Sequence, residues 1–417
     1  MKKIIILGAG LSGLAAATEL SVENEVLVLE KNNYIGGLAA SFNYKGYEIP
    51  FYYHHVFNHD SVTRSFLKRF DDSGLTWKKI KMAILVNNRS YNFTNPLALL
   101  SFNYLTFKEK IRYGLFGFYV FYVLNPDKIP QNLDAEKWLK KYAGKGITKK
   151  LFHELYAKNK FNISLSEISA KQFAHRLKAK EALGVFGYPR DGLDKFIDNM
   201  KNYIEKNKSK ILINQNIQEI DLIKKQIKVN NKKIKYDLTI NTIPIPEFLK
   251  IAKGLPKVYE LKLSKIKYCP AVSIVIGTDK FLSNHYWLNV LKEPKLQMIM
   301  QHSWLYDNYP EKITWLLRYG GSEEDLGIND DKIFKEYTHS LKKYYPRVNI
   351  KWYKVFREKY AEPIYDKNYY LFKPDYKTPI PSLYHAGIQV SYPLIRTMNS
   401  ALISGLEVAK LIKSSDS

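Results

Sequence analysis

The chain reads as an α/β protein, a parallel sheet flanked by helices, and three stretches of its 417 residues carry that reading. Near the N-terminus the apolar run Ile4–Leu7 passes straight into Gly8-Ala-Gly10-Leu11-Ser12-Gly13 and a helical run through Ala17. A second apolar run, Val26–Leu29, ends in Glu30 and is followed by Gly36-Gly37. Near the other end, Leu383-Tyr-His-Ala-Gly387 reads again as strand and turn and leads towards a last helix. Short, continuously apolar strands joined through helices belong to sheets buried on both faces.

The first of these stretches is a Rossmann-like start. Gly8 permits the tight turn, Gly10 lets backbone approach a pyrophosphate, and Gly13 with Ala17 allows the helix to pack closely on the sheet. Leu11 and Ser12 complete the turn, and the helix N-terminus faces the phosphates. Glu30 lies seventeen residues beyond Gly13, where a carboxylate accepts hydrogen bonds from an adenosine ribose.

The segment Lys31-Asn-Asn-Tyr-Ile-Gly36-Gly37-Leu38-Ala39-Ala40-Ser41 resembles the double-glycine motif of a large flavoprotein superfamily. That group includes amine oxidases, protoporphyrinogen oxidases, phytoene desaturases and UDP-galactopyranose mutases. The resemblance implies FAD as cofactor and a Rossmann-like FAD/NAD(P)-binding domain with an inserted mixed α+β substrate domain. It places Lys31, Gly36, Gly37, Leu38 and Ala39 against the FAD diphosphate side and Ile217 as an adenine-side backbone contact. Many members carry arginine directly after the glycine pair, where this chain has Leu38-Ala39-Ala40. At the C-terminal end the resemblance implies that Gly387, Arg396, Met398 and Asn399 cover the flavin. The helix N-terminus and Arg396 would then stabilise negative charge on the reduced ring.

The superfamily's interrupted architecture assigns residues 1–60, 185–250 and 375–417 to the FAD-binding domain and 61–184 and 251–374 to the substrate domain. Within the middle section Leu193–Tyr203 reads as a helix and Ile211–Ile220 as one strand. A hairpin turning at Asn230-Asn231 and a parallel strand within Tyr236–Pro244 follow.

Composition suits two cores, with 46% hydrophobic and 25% charged residues. No apolar run reaches the length that spans a bilayer, and Ile4–Leu7 is too short for a signal peptide. The single cysteine, Cys269, excludes an internal disulfide and fits a cytoplasmic setting. Sixty-five basic against 40 acidic residues give a net charge of +25, which favours anionic partners. The lysines are scattered in pairs, so nucleic-acid binding is not expected. No second glycine-rich fingerprint follows residue 60, so a dedicated nicotinamide domain is absent and electrons pass to or from an external partner: oxygen, a quinone or a soluble carrier.

Three features of the remaining chain bear on chemistry. Pro50–Asp60 contains His54, His55 and His59. Without cysteines and with Asp60 as the one near carboxylate, this is not a metal set. His55-Val-Phe57 resembles the histidine segment that UDP-galactopyranose mutases place beside the flavin, with Asn58 where their second histidine stands, and it departs from the aspartate-and-glycine signature of amine oxidases. His55 and Arg396 are therefore the catalytic candidates. Lys108–Leu124 is a basic approach to an apolar, aromatic run; it reads as a helix buried in the substrate lobe or as a segment that dips into one membrane surface. Third, the aromatic and basic residues of Ser283–Val290, Gln301–Trp304 and Leu317–Ser322 suit strands lining a half-open cavity, although core packing explains many of them.

Two reaction classes follow from the resemblance. One is an oxidoreductase of amine oxidase/protoporphyrinogen oxidase type that oxidises a small organic substrate by hydride transfer to flavin N5. The alternative is a flavin-dependent nucleotide-sugar mutase. The pattern Tyr392-Pro, Arg396, Asn399, Ser404-Gly405 is closer to the first.

Overall fold

The computed structural model describes residues 1–71, 73–92, 96–179, 184–319 and 323–415. A five-stranded parallel sheet runs in the order Lys210–Leu212, Glu25–Leu29, Lys3–Leu7, Leu238–Asn241, Leu383–His385. Ile4, Ile5, Ile6 and Leu7 are fully buried, as expected of a central strand covered on both faces. The helices Leu11–Leu20 and Met398–Lys413 pack on each other against the sheet. Leu193–Lys206 joins them through Leu193, Phe196, Ile197, Met200 and Ile204, an apolar face at helical spacing. The five strands come from residues below 30, between 210 and 241, and beyond 382, so two long excursions, 30–209 and 242–382, interrupt the sheet.

One expected element divides. Ile211–Ile220 is not a single strand, because Asn214 adopts positive φ (56°) and the backbone N–H groups of Asn214 and Gln215 bond to the carbonyls of Asn32 and Glu30. The chain therefore leaves the parallel sheet after Leu212 and restarts at Ile217–Asp221. That strand forms an antiparallel sheet with Gln226–Val229 and Lys232–Lys235. The connecting turn is made by Asn230 and Asn231, both at positive φ.

The inserted region contributes a seven-stranded mixed sheet in the order Ile350–Pro363, Tyr268–Thr278, Lys312–Tyr319, Met298–Gln301, Trp287–Val290, Met82–Val86, Arg89–Asn92. A helical lobe packs beside it around Phe116, Trp138, Leu151, Phe152 and Phe173. A further small sheet pairs Val56–Phe57 and Leu75–Lys79 with Val185–Pro189.

The apolar run after Lys108 forms the helix Phe107–Phe118, which continues in wider π-helical turns over Tyr119–Val123. It is not wholly buried. Phe116 and Val120 point inward, Phe107, Ile111 and Leu115 form an outward stripe with exposures of 70, 51 and 66%, and Phe118 and Tyr122, exposed as well, also border the cavity. The run is apolar on both faces because it is a wall, with a cavity on one side and solvent on the other. Among the described residues no helix is long and apolar enough to cross a membrane.

Candidate functional site

A cavity of about 1000 Å³ opens where the sheet, the small central sheet and the helical lobe meet. Its wall brings together most of the residues singled out in the sequence. Gly8, Gly10, Leu11, Ser12, Glu30 and Lys31 come from the first βαβ unit. Gly36, Gly37, Leu38 and Ala39 lie opposite, Ile217 opens the antiparallel hairpin, and Gly387, Arg396 and Met398 close the far side with His55.

The two glycine segments form one cradle. The N–H of Gly36 donates to the carbonyl of Ala9 at 2.8 Å, and Gly10 pairs with Gly36 as an isolated bridge. A β-carbon on Gly37 would lie 3.1 Å from the Cα of Gly10, and Gly37 sits at φ +60°. A β-carbon on Gly10 would meet nothing nearer than Gly37 Cα at 4.0 Å and would occupy the cavity itself. Bare backbone on both sides, with a helix N-terminus behind it, is the geometry a diphosphate requires. The residues present therefore fit FAD.

Glu30 is buried and held in place: Oε2 accepts from the Ala9 N–H and Oε1 from the Asn32 N–H, both at 2.9 Å. Each oxygen retains acceptor capacity for a hydroxyl in the cavity. At the other end, Thr397 Oγ1 caps the helix Met398–Lys413 by accepting from the Ser400 N–H, and Ser400 Oγ in turn accepts from the Thr397 N–H. The positive end of a 16-residue helix thus meets the cavity at Met398.

Two expected residues are not on the wall. A β-carbon on Gly13 would strike the Gly8 carbonyl oxygen at 2.2 Å, so Gly13 serves the packing of helix on strand. The Asn399 Oδ1 accepts from the Thr63 N–H at 2.9 Å, which docks the helix Ser61–Phe70 on the last helix.

His55 lies against the cavity with its Nδ1 3.1 Å from the Tyr286 hydroxyl and its ring stacked on Phe186 at 4.2 Å. Burial, and then His54, pushes its pKa down to about 3, so the ring is neutral at neutral pH. His54 is held at about 4 by burial; its bond to the Tyr52 carbonyl opposes the shift, and Arg396 adds to it. His59 is exposed and stacks on Phe57. Among the described residues no three His, Cys, Asp or Glu side chains gather as a metal set.

Arg396 does not stand alone. Its Nε lies 3.7 Å from Glu362 Oε2, Lys160 Nζ lies 3.0 Å from the same oxygen, and Arg176 Nη2 donates to Glu362 Oε1 at 2.6 Å. Glu362 is 1% exposed. Burial raises its pKa, but Lys160, Arg176 and Arg396 outweigh burial and hold it at about 2. The three cations line the cavity. Sequence reading missed Lys160, Arg176 and Glu362, because they lie on three separate elements and follow no spacing rule. The one signal was a charged residue, Glu362, at the apolar end of a long strand.

The third expected feature mostly belongs to the core. Trp287 and Asn289 reach the cavity. His302 is fully buried between Tyr188 and Trp315, Trp304 donates to the Ser283 carbonyl, and Arg318 pairs with Asp325 at 3.0 Å. Residues 320–322 of that feature lie outside the described residues.

Comparison with known proteins agrees with this architecture. The profile of a family described as flavin containing amine oxidoreductase matches residues 11–413. An uncharacterized protein of Methanocaldococcus jannaschii is 24% identical over 291 residues, 68% of this chain and 67% of that one. The crystal structure of a provisionally assigned protoporphyrinogen oxidase from Exiguobacterium sp. 255-15 superposes with a TM-score of 0.80 at 16% identity, covering 99% of both chains. Reduced UDP-galactopyranose mutase superposes at 0.79 with 16% identity over 100% of this chain and 94% of that one.

Proposed function

This chain belongs to the flavin containing amine oxidoreductase family, an FAD-dependent oxidoreductase by that membership, and from it we propose that FAD, when bound, supplies at N5 the acceptor for a hydride from a small organic substrate. One observation carries the reading. Two glycine segments, a buried acidic residue and a helix N-terminus converge on one cavity that extends, among apolar side chains, beyond what they enclose.

In this reading Gly8–Ser12 and Gly36–Ala39 hold the phosphates, Glu30 takes the ribose hydroxyls, and Ile217 contacts the adenine side through its backbone. Lys31 lies at the mouth beside Glu30. Gly387, Met398 and the capped helix end meet the ring, where the helix dipole and Arg396 stabilise negative charge. His55, fixed by Tyr286 and neutral, orients the substrate. The apolar walls exclude water, and orientation rather than a protein base does most of the work. Electrons leave to oxygen, a quinone or a soluble carrier. Peripheral contact of a cytoplasmic protein with a membrane surface, through the stripe Phe107–Tyr122, belongs to the same reading.

A second reading, a nucleotide-sugar mutase, is favoured by the position of His55 on the cavity wall. The test is to purify the protein, record bound flavin by absorbance, photoreduce it anaerobically with and without a panel of UDP-sugars, and then admit air or quinone. Rapid reoxidation with no effect of sugars supports the oxidoreductase. Interconversion of a sugar without net oxidation replaces it with the mutase, and absence of flavin overturns both.

A further inference from the structure

Lys160 and Arg176 come from the helical lobe, yet they line the same cavity as the glycine cradle. With Arg396 they share one carboxylate, Glu362, which lies behind them. Among the described residues these three cations form ion pairs with that one carboxylate, which leaves this part of the wall positive. The wall beside it is apolar: Leu177 follows Arg176, and Lys178 Nζ donates to the carbonyl of Phe121, so cationic and apolar parts adjoin.

The helix that turns Phe116 and Val120 into the cavity turns Phe107, Ile111 and Leu115 to solvent. Its outer face is flanked by base. Lys108 and Arg112 are exposed on the same helix, and Arg112 Nη2 donates to the carbonyl of Lys141, itself exposed, at 3.2 Å. An apolar stripe within a basic surround matches an anionic lipid surface.

We propose that the cavity takes an amphiphile with an anionic head, phosphate or carboxylate, whose head meets Lys160 and Arg176, whose apolar chain lies along Phe121 and Leu177, and which is drawn from an anionic bilayer on which the outer face of residues 107–123 rests. A small soluble anion has no use for the apolar wall, and a neutral lipid gains nothing from desolvated cations. The inference rests on the FAD-dependent oxidoreductase reading and adds the substrate class.

The test uses the full-length flavin-loaded protein. Changes in flavin absorbance are followed on titration with monomeric dodecyl phosphate, dodecylphosphocholine, inorganic phosphate and UDP. Dodecyl phosphate is expected to bind about tenfold or more tighter than each of the others, a difference of about 1.4 kcal/mol. Lys160→Met should remove most of the preference over dodecylphosphocholine with the flavin spectrum intact, and Arg176→Lys, which keeps the charge, should keep it. In flotation, phosphatidylglycerol vesicles should carry the protein and phosphatidylcholine vesicles should not. The double variant Ile111→Glu, Leu115→Glu, at positions outside the cavity lining, should lose the vesicles while retaining dodecyl phosphate. Equal binding of inorganic phosphate or UDP, equal binding of dodecylphosphocholine, or no flotation on either vesicle overturns the inference. Absence of flavin from the unmodified protein overturns the underlying reading instead, so the two failures are distinguishable.

Discussion

The backbone of Gly405 lies against the carbonyl of Ser12 so closely that a β-carbon at 405 would meet that oxygen at 2.3 Å. The neighbouring Ser404 hydroxyl donates to Ser12 Oγ at 3.1 Å and accepts from the Gly387 N–H at 2.9 Å. The last helix is thereby fastened to the first, nearly four hundred residues away, with both helix N-termini turned to the same cavity.

Gly405→Ala is expected to destabilise the protein by about 1–3 kcal/mol, the usual cost of forcing atoms into a packed interface. Because the displaced helix carries Met398, bound flavin should fall with it. Thermal unfolding and the ratio of flavin to protein absorbance measure the two effects; an unchanged melting temperature contradicts the contact.

Gly10→Ala should behave differently. Its β-carbon clears every protein atom and enters the cavity, so the flavin-free protein should unfold at the same denaturant concentration as wild type. Its affinity for FAD should fall roughly tenfold, about 1.4 kcal/mol. Fluorescence titration of the flavin-free protein gives the answer, and unaltered affinity removes Gly10 from the cradle.

Glu362→Gln leaves Lys160, Arg176 and Arg396 without their shared counter-charge. A loss of about 3–5 kcal/mol is expected at neutral pH. The carboxyl titrates at about 2 in the folded chain against its ordinary 4.5, so the unfolded chain binds the proton first. The stabilisation is complete above about 4.5 and disappears as pH falls towards 2. A urea series should show wild type and variant converging in that window; a constant difference contradicts the ion cluster.

Buried histidines add an earlier acid limb. His302 and His385 are fully buried and burial lowers both to about 3, and His55 is lowered to about 3 by burial and then His54. The unfolded chain takes up these protons near 6.5, so stability present above that value is lost as pH falls towards 3. Neither ring nitrogen of His302 has a hydrogen-bond partner among the described residues, which makes an apolar replacement tolerable. His302→Leu should flatten the dependence of unfolding free energy between pH 6 and pH 4.5 by up to about 1.4 kcal/mol per pH unit. A slope equal to wild type shows that the ring charges in place.

Legibility followed the range of the interaction. The cradle was readable because Gly8, Gly10, Gly36 and Gly37 answer to local backbone geometry, and Glu30 to a fixed offset along one βαβ unit. Asn399 was not, since its side chain is taken up by Thr63, a residue more than three hundred positions away. The break after Leu212 was equally invisible: two backbone bonds to Asn32 and Glu30 end a run that is apolar at both its ends.

By itself the sequence determined a parallel sheet and a double-glycine cradle, because strand patterning, tight turns and close backbone approach are set by residue type within a few positions, and the resemblance carried by that double-glycine motif implied the FAD-dependent reaction class. Tertiary structure alone decided the rest: that Lys160, Arg176 and Arg396 meet on Glu362, and that Phe107–Val123 is a wall between cavity and solvent. Burial and charge pairing depend on which distant elements share a space, and no local pattern encodes that.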